Sequence, residues 1–172
     1  ALRRANAIDF NDIINLTVQI WRQYPEVLAQ RQTQFRFLLV DEYQDTNPVQ
    51  YELIRLLASS HQNVMVVGDD DQSIYGFRGA DSEIIPRFVG DFEPEVVRLE
   101  QNYRSHGNII AAANALISNN SGRMEKRMWT DAPDGELVDE LVGADEYDEA
   151  RKILARIRQL DAAGYGWQDC AI

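Results

Sequence analysis

The stretch Leu38-Leu39-Val40-Asp41-Glu42-Tyr43-Gln44-Asp45-Thr46 decides how this chain is read. An apolar run ends at Val40 and passes straight into two adjacent carboxylates. That is how a buried parallel strand delivers acids to the carboxyl edge of a sheet, the edge where α/β proteins bind ligands. One carboxylate of such a pair can hold Mg²⁺ while its neighbour orients or deprotonates an attacking water. A solvated turn or a helix cap is the other reading of Asp-Glu after a strand. A second run of the same kind favours the sheet edge: Val64 to Gly68 leads into Asp69, Asp70, Asp71 and Gln72.

Working outward, the whole chain has 172 residues, 45% hydrophobic and 26% charged. That suits one or two small α/β units. Net charge is −11, and the acids outnumber the bases both before and after residue 98. An acidic surface argues against broad phosphate binding, so any nucleic-acid contact must be local and made by a few aromatic and Arg side chains. Cys170 is the only cysteine, which excludes an internal disulfide. His61 and His106 lack metal-ligand spacing. No apolar run is long enough to span a membrane and no signal peptide is visible, so the expected class is cytosolic and the expected location cytoplasmic. The chain begins at Ala1 and ends within an apolar pattern at Ile172, and reads as a piece of something longer.

Helices are expected over 9–24, with Asp9 as cap and Ile13, Leu16, Ile20 and Trp21 on one face, and from Pro25 to about Gln32. Asn47-Pro48 should open another through Leu57. Shorter ones are expected over 82–88 and 108–117, and a long amphipathic one over 145–163 that ends at Gly164. Strands are expected at 35–40, 63–68, 95–99 and 136–142, with the start of another at 169–172. Strands that alternate with helices imply parallel sheets with right-handed crossovers. The boundary between two domains is placed in Gly90-Asp91-Phe92-Glu93-Pro94.

Three acids in a row at Asp69–Asp71 repel one another unless solvated or neutralised by a cation. Gln72 can donate and accept without net charge, which suits a group that faces a terminal phosphate. Tyr75 and Phe77, followed by Arg78, could stack on unpaired bases, or could simply pack their loop onto the domain. In Leu99-Glu100-Gln101-Asn102-Tyr103-Arg104-Ser105, an Arg between a strand and a helix can reach a phosphoryl group in flight, with Tyr103 stacked on a purine. The plainer alternative pairs Arg104 with Glu100 on the surface and puts Tyr103 in a core.

Together Val40–Asn47, Val66–Asp81 and Arg98–Ser105 resemble motifs II, III and IV of the UvrD/Rep/PcrA-like helicases of superfamily 1, in order and at the right spacing. The flanks IDFNDII, NIIAAANALISNN, WTDAPDGE and DEARKILARI match as well. The resemblance implies an α/β fold of RecA-like parallel sheets with flanking helices, incomplete here. Residues 1–94 would be the C-terminal portion of the first RecA-like domain and 95–172 the N-terminal portion of the second. It implies ATP and Mg²⁺ as cofactors and single-stranded DNA as partner. Asp41 would hold Mg²⁺, with Glu42 beside it polarising water. Gln72 would contact the γ-phosphate, Tyr103 would stack on adenine, and Arg104 would reach the γ-phosphate. Tyr75, Phe77 and Arg78 would touch DNA. The family often has Trp where this chain has Phe77, so stacking should be weaker. Movement would be 3′-to-5′.

The phosphate-cradling loop G-x-x-x-x-G-K-[ST] is not in this sequence: neither lysine, Lys126 or Lys152, follows Gly or precedes Ser or Thr. The later family motifs are missing too. Half an ATP site should neither hydrolyse ATP nor unwind DNA by itself. The incomplete first sheet should expose edges and favour dimers or strand exchange. A non-catalytic protein- or DNA-binding module that lost the nucleotide loop is the competing class, and a helicase–nuclease is a third.

Overall fold

The computed structural model describes residues 7–81, 83–120 and 123–172, and for Arg78 the backbone alone. Local chemistry sets the first elements. Asp9 accepts the backbone N–H of Asp12 at 2.8 Å, and Asp12 accepts that of Asp9 at 3.2 Å. This reciprocal cap starts α1, Phe10–Gln23. Pro25 lacks an N–H that the first helical turn cannot use anyway, and it starts α2, Pro25–Gln34. Strand β1 is Leu38–Val40. Asn47 accepts from Val49 and Gln50 while Gln50 accepts from Asn47, and this box opens α3, Pro48–Ala58. Strand β2 is Val64–Val66, and α4 is Ile84–Phe92. Then come α5, Gly107–Ile117, and α6, Glu146–Ala162, which Asp145 caps. Gly164 follows α6 at φ 101°, a left-handed conformation open to glycine.

β1 and β2 pair in parallel, Leu38 against Val64 and Val40 against Val66. The connection through α3 is a βαβ unit. Alternate strand residues face opposite ways, so Val40, Val64 and Val66 pack on the core of Tyr43, Tyr51, Ile54, Ile84 and Phe88. Tyr43 meets Phe88 edge-on at 5.4 Å between centroids, and Phe88 stacks on Phe92 at 4.7 Å. Tyr51 donates its hydroxyl to Asp91 and lies under the Arg87 guanidinium at 5.7 Å, which ties α3 to α4. Burial together with the Asp91 carboxylate pushes the Tyr51 phenol pKa up.

The chain divides into two compact units. Unit 1 is Ala1–Leu99 with Ile117–Lys126, and unit 2 is Glu100–Leu116 with Arg127–Ile172. The fold is thus mixed helix with a small parallel sheet, compatible with part of a RecA-like domain.

Several expectations need correction. The first two strands form, but each is three residues long. The sheet is buried on one face only: α3 and α4 cover that side, while Leu39 and Met65 on the other are exposed. On α1 Trp21 is buried as expected, together with Val18, whereas Ile13 and Ile20 remain half exposed. The start of α4 expected at Ser82 lies outside the described residues. Among the described residues there is no second sheet. The stretches 95–99 and 136–142 form no ladder, and Trp167–Asp169 is a 3-10 turn in place of a final strand. A strand needs a neighbour for its N–H and C=O groups. Here only the bridge between Gln101 and Trp129 supplies one.

Candidate functional site

Both acid runs leave the sheet at the same edge. Beyond β1 and β2 the backbone ladder continues, with Val67 N–H donating to Val40 at 2.8 Å and Tyr43 N–H donating to Val67 at 2.9 Å. Asp41 and Glu42 follow β1 directly, and Asp69 follows β2 after two residues. Glu42 takes a left-handed turn, φ 48° and ψ 44°, into the 3-10 turn Tyr43–Asp45. This turn buries Tyr43 and Gln44 and leaves the Asp41 and Glu42 carboxylates exposed. Neither is in an ion pair among the described residues.

Gln44 joins the two runs. Its buried amide donates to a Glu42 oxygen at 2.7 Å and accepts the Asp69 N–H at 3.1 Å. Only glycine leaves room for it: a Cβ at Gly68 would lie 2.8 Å from Gln44 Oε1 and 3.2 Å from the Tyr43 nitrogen. Gln72 then donates to the far oxygen of Asp69 at 2.9 Å. A continuous hydrogen-bonded path therefore runs Glu42, Gln44, Asp69, Gln72. It brings the expected pair Asp41 and Glu42 and the expected Gln72 to one sheet edge.

The three adjacent aspartates have carboxylate oxygens within 4.8 Å of one another. The cation that this proximity demands is supplied from within unit 1. Lys126 reaches Asp69, Asp70 at 3.0 Å and Asp71 at 3.1 Å, and Arg123 grips Asp71 at 2.7 Å. Burial raises the Asp69 pKa, but hydrogen bonds from Lys126 and Gln72 outweigh it and hold the carboxyl below its usual range. Asp71 is held down in the same way, against burial, by Arg123 and Lys126. Burial opposes the charge on Lys126, yet the three carboxylates raise its pKa.

Past Gln72 the rings of Tyr75 and Phe77 lie 5.8 Å apart at 52°, and Phe77 is 79% exposed. The expected partner, the Arg78 side chain, lies outside the described residues. In unit 2, Asn102 accepts the N–H groups of Arg104 at 2.9 Å and Ser105 at 2.8 Å, which turns the chain so that Tyr103 projects. Tyr103 is 85% exposed and donates its hydroxyl to Gln101. It is therefore not in a core. Glu100 accepts the backbone N–H of Arg127, and no Arg104–Glu100 ion pair exists among the described residues.

Sequence reasoning missed Gln44, Arg123 and Lys126. The adjacency of three carboxylates called for a cation, but no spacing rule points to a lysine 54 residues beyond Gln72.

Comparison with known proteins bears on the same segments. The family model for the UvrD/REP helicase N-terminal domain matches residues 1–93, and that for the UvrD-like helicase C-terminal domain matches 97–172. The chain belongs to the UvrD/REP helicase family. Relatives within it include DNA helicase II of Escherichia coli K12, 49% identical over all of this chain and 24% of that protein. The ATP-dependent DNA helicase PcrA of Leuconostoc citreum is 48% identical over 92% of this chain and 21% of its own length. PcrA of Staphylococcus aureus Mu50 is 46% identical over 99% and 24%. The chain thus spans about a quarter of the curated relatives it matches. No helix among the described residues is long and apolar enough to cross a membrane.

Proposed function

We propose that this chain is the central part of an ATP-dependent DNA helicase or translocase that couples Mg-ATP hydrolysis to 3′-to-5′ movement on single-stranded DNA in repair or replication. The observation that carries the proposal is the path from Glu42 through Gln44 and Asp69 to Gln72. It joins a carboxylate suited to a water with an amide suited to a phosphate, at the edge where α/β sheets bind ligands. Family membership and the printed names of the relatives support the same reading.

The site suits a hard divalent ion. Asp41 offers exposed carboxylate oxygens outside any ion pair among the described residues, and Glu42 lies beside it. Mg²⁺, when bound, would neutralise phosphate charge. Asp41 would hold it, Glu42 would orient the attacking water and accept its proton, and Gln72 would hydrogen-bond the γ-phosphate. In unit 2 the projecting Tyr103 would stack on adenine and Arg104 would contact the γ-phosphate. Tyr75 and the exposed Phe77, with Arg78, would hold bases by stacking and cation–π contact, which do not require a basic surface.

Residues 1–94 are then the rear of one RecA-like domain and 95–172 the front of the next. The chain alone lacks the phosphate-loop lysine, so it is inactive by itself, and its exposed sheet face favours self-association. Single-strand-stimulated phosphate release tests the proposal. The full-length protein should turn over, and Arg104→Ala in it should lose about 10³-fold or more in kcat. The isolated chain should give no turnover. An inactive full-length protein that still binds single strands would favour the non-catalytic module.

A further inference from the structure

Lys126 and Arg123 are not used by the mechanism above, yet they make the densest charge contacts in the described molecule. We propose that Lys126, assisted by Arg123, is a positioning residue for Gln72: it neutralises the Asp69–Asp71 bed on which the Gln72 amide is held. This rests on the proposed role of Gln72 in ATP hydrolysis.

The geometry runs in two steps. Lys126 Nζ donates to Asp69 Oδ1, and Gln72 Nε2 donates to Asp69 Oδ2 at 2.9 Å. One carboxylate therefore carries the lysine on one oxygen and the glutamine on the other. The same ammonium also reaches Asp70 and Asp71. Arg123 closes on Asp71 through both Nε and Nη2, and the Met124 N–H donates to Asp70 at 2.8 Å. Remove the ammonium and three carboxylates within 4.8 Å of one another lose the cation that all three share. Like charges at that spacing push apart or take up a proton. Either outcome moves or weakens the acceptor that aims the Gln72 amide. With one Nε2 hydrogen given to Asp69, the other remains to donate to a phosphate oxygen and Oε1 remains as an acceptor, whereas a released amide is held with neither end aimed.

The contact belongs to a strap, Ile117–Lys126. It packs with unit 1 although it lies within the stretch matched by the C-terminal family model. The strap is covalently continuous at both ends with segments of unit 2. Lys126 thus reaches the Asp69–Asp71 bed from a remote part of the sequence, and a substitution there alters the setting of Gln72 without changing a residue of motif III.

The test uses the full-length protein and single-strand-stimulated ATP turnover. Lys126→Gln should lower kcat about tenfold or more while KM for ATP stays within about twofold, and Lys126→Arg should restore most of the rate. Adding Lys126→Gln to Gln72→Ala should cost little further, because both act through one amide. Should Lys126→Gln not fold, Lys126→Gln with Asp70→Asn relieves the repulsion while Asp69 stays unpaired, and the same kcat loss is expected. If Lys126→Gln keeps parental kcat, or if its loss multiplies fully with that of Gln72→Ala, the positioning role is wrong. No turnover by the parent protein, or parental turnover by Gln72→Ala alone, would instead remove the reading beneath it.

Discussion

Unit 1 and unit 2 differ in what they bury. Among the described residues every buried apolar side chain except Ile110 lies in unit 1. Unit 1 completes a core from elements that follow one another in sequence: β1, α3, β2 and α4 each contribute one face. Unit 2 has a helix of good pattern, α6, with Ile153, Ile157 and Leu160 only half-buried and Leu154 exposed. An apolar stripe specifies which face a helix would cover, and leaves open what it meets. In unit 1 that same completeness fixes a polar edge, since Gln44 is held between strands whose core sides are packed.

Substitutions should separate the two units. Phe88→Ala removes a ring that meets Tyr43 edge-on and stacks on Phe92, and should cost about 3–5 kcal/mol in denaturant unfolding. Equal stability of that variant and the parent would deny that unit 1 has a packed core. Acid should also act on unit 1 preferentially. Asp69 and Asp71 have depressed pKa values in the folded state, so the stability they contribute is present above the ordinary carboxylate range. It is lost as pH falls below about 4. The raised pKa of Lys126 keeps its share until pH climbs past the usual lysine range. Tryptophan fluorescence followed during acid titration should show an earlier transition in the parent than in Asp70→Asn, which carries one less charge to balance. Asn47→Ala removes the cap of α3 and should cost about 1 kcal/mol by the same unfolding assay. Leu154→Ala on α6 should cost least, under about 1 kcal/mol, because its side chain is already 41% exposed. A larger loss there would show that unit 2 has a core that its side-chain exposure does not reveal.

The first three helices were legible in the sequence because Asp9, Asn47 and the proline at position 25 act locally, and α6 was legible from its apolar stripe. The paired strands were legible because the apolar runs before Asp41 and Asp69 sit one crossover apart. Strands at 95–99 and 136–142 were not, since β pattern alone provides no partner. At the site, Asp41, Glu42 and Gln72 could be named from adjacency. Gln44 could not, because its importance depends on β2 lying beside β1 with a glycine at position 68. Lys126 was hidden for the same reason: its role is set by where a distant strap returns, which no local periodicity encodes.

The claim on which the rest depends is that the edge of the β1–β2 sheet carries out hydrolysis. Turnover and nucleotide affinity measured side by side in full-length protein bearing Glu42→Gln test it most directly. Loss of kcat by about 100-fold or more, with ATP affinity within a few-fold of the parent, is the expected result. Parental turnover in that variant would contradict the assignment of the water-activating carboxylate and, with it, the motor reading of this edge.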